Sequence, residues 1–131
     1  MPLALMLVAA YMTRDAMEAR LIVAELSEDE LRELEAAVRE LALWAPTDDA
    51  VLVDAGPSLG MVAEVTGLDC EAIIDTVLLL GEYEIVPEPQ SVAEWAALAH
   101  LEAAIVATLL VPPGTDPEQK ARFLRERAST L

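Results

Sequence analysis

The residues of this chain whose types and spacing suit chemistry are few. Glu71 and Asp75 stand four apart, the interval that puts two side chains on one face of a helix. Paired carboxylates in that arrangement serve as acid and base or hold a cation. Asp48, Asp49 and Asp54 offer oxygen ligands within a short span, but the ligand spacing of a calcium loop and its closing glutamate are missing. His100 is the one histidine and Cys70 the one cysteine, so no internal disulfide forms, and a zinc site would need acids or a second chain. Cys70 falls in the first turn of an expected helix, where the dipole favours a thiolate, while Asp69 and Glu71 beside it oppose that charge. A phosphate-cradling glycine loop, HExxH, paired CxxC and GxSxG are all lacking. The reading is therefore no catalytic group, no metal and no cofactor. The carboxylates read as solvated surface. His100 reads as a hydrogen-bonded interior or interface residue that tunes stability with pH.

The elements that must position these residues are mainly helical. Ser27-Glu28-Asp29-Glu30 is a capping box flanked by Leu26 and Leu31 at the spacing of a hydrophobic staple. The helix it opens carries Leu31, Leu34, Val38 and Leu41 as one apolar stripe and should end near Trp44, ahead of Pro46. Ser91 to Glu94 repeats the box and opens a helix to about Leu110 that is apolar nearly all round, hence central or interfacial. That stretch is long enough to span a bilayer, but it carries Glu94, His100 and Glu102 and reads as a buried helix. Pro112, Pro113 and Gly114 stop it, and Asp116-Pro117 starts a last helix. Before Ser27, Met17, Leu21 and Ala24 fit a helix better than a strand. Residues 1 to 12 are apolar without a basic lead or a cleavage pattern, and too short to cross a membrane.

With 131 residues the chain is expected to form one domain, and its 55% apolar content is more than one small core hides. A second copy or a partner is expected to cover the rest. The net charge is −16, from 24 acids and 8 bases, which disfavours nonspecific attraction to nucleic acid and to anionic membranes. The charge is also unevenly placed. Arg14, Arg20, Arg32 and Arg39 lie near one end, and Lys120, Arg122, Arg125 and Arg127 at the other. From residue 40 to 119 no Lys or Arg occurs, while 15 acids do. Such polarity suits a basic partner or a high-salt solvent, and suggests that the basic tail lies against an acidic face, in the same chain or in a neighbour.

Residues 58 to 78 read SLGMVAEVTGLDCEAIIDTVL. Ala63 is followed four residues on by Gly67, then by Leu68, with Ile73 six after the glycine. A small residue lets two helices cross closely, glycine takes the positive φ of a tight turn, and the apolar residues pin the second helix. In this the segment resembles the helix-turn-helix superfamily and, over about residues 28 to 86, its winged-helix branch. The resemblance implies a first helix from Glu28 to Trp44, a strand at Val51 to Val53, the helix pair Leu59 to Thr66 and Asp69 to Leu80, and a wing strand at Tyr83 to Val86. DNA binding is the usual function of that fold. The helix matching the recognition helix instead presents Asp69, Glu71 and Asp75, which repel phosphate and release no counterions. Gly67-Leu68-Asp69-Cys70 with its acidic helix also resembles, more faintly, the attachment region of acyl carrier proteins, with cysteine where those carry serine.

These readings combine into one expectation. The fold is mainly α, a helix-turn-helix-like core at 28–86 with at most two or three short strands, an apolar helix at 91–111 and a basic helix at 116–129. The function is that of a non-enzymatic, cytoplasmic regulatory or adaptor protein, in one form a DNA mimic. Its basic protein partner would meet Asp69, Glu71, Asp75, Glu82 and Glu84. A homodimer would form through Leu31, Leu34, Val38, Leu41, Trp95 and Leu98. Lys120, Arg122, Arg125 and Arg127 would meet anions, and they or Arg14 and Arg20 would carry any DNA contact of a transcription regulator.

Overall fold

A computed structural model describes residues 2–42, 56–67, 91–111 and 114–130. Those residues form helices α1 (Pro2–Met12), α2 (Ala16–Ala24), α3 (Glu28–Ala42), α4 (Gly56–Thr66), α5 (Val92–Leu110) and α6 (Pro117–Ser129), with no strand among them. The fold is mainly α. The expected strands at 51–53 and 83–86, and the second helix of the helix-turn-helix pair, lie outside the described residues.

The helix starts follow the local chemistry of the sequence. At α3 the Glu30 amide donates to Ser27 Oγ and the Ser27 amide to Glu30 Oε1, both at 3.2 Å, completing the capping box. At α5 the Glu94 amide donates to Ser91 Oγ at 3.2 Å. Asp116 caps α6 through the Glu118 amide at 3.0 Å, with Pro117 in the first turn, and Asp15 caps α2 through the Glu18 amide at 3.0 Å. Gly67 takes φ +73° directly after α4, and its amide donates to the Ala63 carbonyl at 2.9 Å.

Two helices without a polar side make the centre. α1 buries Ala4, Leu5 and every residue from Leu7 to Met12, and α5 buries ten of its 19 residues. A helix apolar all round must be covered all round. α6 and α2 pack on α1, α3 and α4 pack on α5, and α1 and α5 lie against each other. α5 is also long and apolar enough to cross a bilayer, a criterion that the core helix of a bundle meets equally well.

The α3 stripe and its supposed partners are spent inside the chain: Leu31, Leu34 and Val38 are at most 1% exposed, and Trp95 and Leu98 are buried too, because α3 packs against α5. Leu41 packs half-buried on the same core. Of the six residues expected at a dimer seam, Leu41 alone is more than marginally exposed. The helix expected before Ser27 is α2. Ala19 and Val23 face the core, while Met17, Leu21 and Ala24 face outward. Residues 2 to 12, assigned no element from sequence, form the most completely buried helix among the described residues. The basic α6 packs on apolar α1 through Ala121, Leu124 and Ala128, and its Arg125 pairs with Glu18 of α2.

Candidate functional site

The polar groups that stand out are set around α5. His100 and Glu102 are two residues apart, about 200° around a helix, and so face opposite ways. Each is enclosed, at 3% and 9% exposure.

On one side His100 meets α1. Tyr11 Oη and His100 Nδ1 are 2.8 Å apart, with the rings edge-on at 67° and 5.8 Å between centroids. Burial pushes the imidazole pKa down to about 4, helped by the nearby charge of Arg20, and burial raises that of the phenol. Both rings are therefore neutral at neutral pH. His100 also lines a cavity of about 480 Å³ between α2, α4 and α5. Its walls include Val23, Leu31, Val65 and Ala96, and Arg20 is the one charged lining residue among the described residues. The Arg20 Nη2 donates weakly, at 3.5 Å, to the Glu64 carbonyl.

On the other side Glu102 meets Glu35 of α3. Glu35 is 2% exposed and accepts from Arg39 through Nε at 2.9 Å and through Nη2, one turn along the same helix. Burial lifts the Glu102 pKa to about 8, and the charge of Glu35 and a hydrogen bond with it add to the rise, while Arg39 partly offsets it. Glu102 is thus the protonated member of the pair and Glu35 the ion-pair partner of Arg39. Glu102 Oε2 and Trp95 Nε1 have no hydrogen-bond partner among the described residues. The Arg32 guanidinium lies 5.1 Å from the centroid of the Trp95 ring, in cation–π contact.

A third feature is outward. Met17 and Leu21, four apart on α2, are 70% and 68% exposed, and Ala24 continues the stripe. Directly after it Glu25, Glu28, Asp29 and Glu30 are all exposed.

Of the residues singled out from sequence, Asp69, Glu71, Asp75, Glu82 and Glu84 lie outside the described residues, as do Cys70, Asp48, Asp49 and Asp54. On α6, Arg122 and Arg127 are exposed, Lys120 is half-buried, and Arg125 binds Glu18 at 2.8 Å and Thr13 at 3.3 Å. At about 100° per residue, Lys120 and Arg127 fall on one flank of the buried face of α6 and Arg122 and Arg125 on the other, so they make no single cationic surface. Among the described residues no three His, Cys, Asp or Glu side chains are placed to hold a metal. Sequence reading missed Glu35 and Tyr11. Glu35 had a signal: four residues after Leu31 and three before Val38, it lies within the apolar stripe.

No family model matches this chain, and no curated protein or solved structure is significantly similar to it.

Proposed function

We propose that this chain is a non-enzymatic adaptor or regulator that binds another protein through an acidic surface, and that the partner supplies a basic amphipathic helix. The observation that carries this is the outer face of α2. A methionine and a leucine about two-thirds exposed on one stripe present apolar area to solvent, where a partner helix gains by covering it. Four exposed acids at the end of that stripe, on a chain of net charge −16, select basic residues beside the partner's apolar anchors. A DNA-mimic inhibitor is the special case in which the partner is a DNA-binding protein. The reading as a DNA-contacting regulator has less support, because Arg125 is already paired and the remaining bases of α6 are divided between two flanks.

The test is binding of a labelled Leu/Lys amphipathic helix, read by fluorescence anisotropy at low and moderate salt. Binding is expected to weaken with salt and to fall at least about ten-fold in the Met17→Glu, Leu21→Glu double variant, whose thermal stability should hold because both side chains are exposed. Binding untouched by the double variant would sink the assignment of this face. A concentration-dependent dimer dissolved by the same variant would give the stripe to a second copy instead.

A further inference from the structure

We infer that the cavity between α2, α4 and α5 is a binding site for a small monocarboxylate with an apolar body, its carboxylate held between Arg20 and His100. A volume of about 480 Å³ lies within the range of small-molecule sites, and the lining is that of such a site: apolar walls with a few convergent polar groups. The polar groups specify the ligand's charge. Arg20 has no carboxylate within ion-pair distance among the described residues, and one weak bond to the Glu64 carbonyl leaves most of its donors unused. His100 is 3% exposed, and only its Nδ1 is engaged; Nε2 has no hydrogen-bond partner among the described residues. When the Tyr11 hydroxyl donates to Nδ1, the imidazole proton sits on Nε2, a second donor on a residue that lines the same cavity as Arg20. Two donors and one positive charge at an apolar cavity fit a carboxylate with a hydrocarbon or aromatic body. They do not fit an amine, which Arg20 repels, or a purely apolar guest, which would leave Nε2–H buried without an acceptor.

The groups facing His100 are few enough to make it a clean reporter. α1 presents Tyr11, α2 presents Arg20, and the cavity residues of α3 and α4, Leu31, Val65 and Thr66, carry no charge. A bound carboxylate stabilises the imidazolium, so it must raise the pKa of His100 from its depressed value. The chain has a single histidine, so its ring signals need no assignment by elimination.

The experiment titrates the full chain with octanoate, octanol and octylamine, following the ¹H–¹⁵N signals of the His100 ring. Octanoate is expected to shift those signals saturably and to raise the His100 pKa by roughly one unit or more. Octanol should bind at least about ten-fold more weakly, and octylamine more weakly still. Arg20→Gln, at an exposed position, should keep the melting temperature yet lose about ten-fold in octanoate affinity while octanol changes by less than about two-fold. The proposal is overturned by octanol binding as tightly as octanoate, by Arg20→Gln leaving octanoate affinity intact, or by no shift of the His100 signals up to about 10 mM octanoate. None of these outcomes depends on the partner helix, since Met17 and Leu21 do not line this cavity.

Discussion

The two faces of α5 enclose one ionisable group each, and burial acts on the two in opposite directions. His100 is a base whose neutral form survives burial, so its pKa falls to about 4. Glu102 is an acid whose neutral form survives burial, so its pKa rises to about 8. The partners differ as well. Tyr11 is a neutral hydroxyl that matches a neutral imidazole. Glu35 is a second acid, tolerable beside Glu102 only because one of the two keeps its proton and Arg39 balances the other. The His100 face is thus a neutral contact, bonded at Nδ1, beside a cavity, and the Glu102 face a protonated acid held against the Glu35–Arg39 ion pair. Removing a member should cost more on the second.

The largest expected effect tests that ordering. Glu35→Ala leaves Glu102 without its partner in a packed site and should destabilise the chain by about 3 kcal/mol in urea unfolding near pH 6. His100→Leu, which leaves the buried Tyr11 hydroxyl without an acceptor, should cost about 2 kcal/mol. If the two costs come out in the reverse order, the distinction between the faces fails.

The next effect is the pH dependence. His100 has a folded pKa below its ordinary 6.5, so it adds stability above that pH that is lost as pH falls through about 4. Glu102 has a folded pKa above its ordinary 4.5, so it adds stability below that pH that is lost as pH rises through about 8. Between 4.5 and 6.5 the two slopes oppose each other and this part of the stability is level. From about 6.5 to 8 the Glu102 slope stands alone, and stability should drop by about 1 kcal/mol per pH unit. Glu102→Gln keeps a donor towards Glu35 without a titratable proton. It should flatten that alkaline limb and leave the acid limb in place. A limb that persists in this variant assigns the proton elsewhere.

A smaller effect sharpens the other face. Tyr11→Phe should cost about 1 kcal/mol alone and much less in the His100→Leu background, where the hydroxyl no longer has its acceptor. The smallest is a control remote from both faces. Arg14 holds φ +56° in the turn between α1 and α2, a region that suits glycine. Arg14→Gly should raise stability by roughly 0.5–1 kcal/mol with no change in either pH limb.

Much of the helical frame was legible because its signals are local. Ser27 with Glu30, Ser91 with Glu94, and Asp116 with Pro117 need only their own neighbours to start a helix, and each does so. The same holds for Gly67, whose positive φ follows from the lack of a Cβ. What was misread is what depends on the surroundings of a helix. The apolar stripe of α3 announced a contact without naming the surface opposite, and that surface is α5 of the same chain. Met17, Leu21 and Ala24 marked α2 as a helix but did not tell which face packs inward, which is that of Ala19 and Val23. α1 carried no helical period to read, because it is apolar on every side.

By itself the sequence determined the charge of −16, the 80-residue stretch without a base, the starts of α3, α5 and α6, and the presence of a single imidazole on an apolar helix. These are properties of composition and of contacts within a turn, and folding does not change them. Only the tertiary structure decided that Tyr11 meets His100 across 89 positions, that Glu35 and Glu102 share one buried site, and that Arg20 and His100 line the same cavity. Such pairings are set by which helix faces which. That choice belongs to the packing of the whole apolar surface, and no residue involved carries a mark of its distant partner.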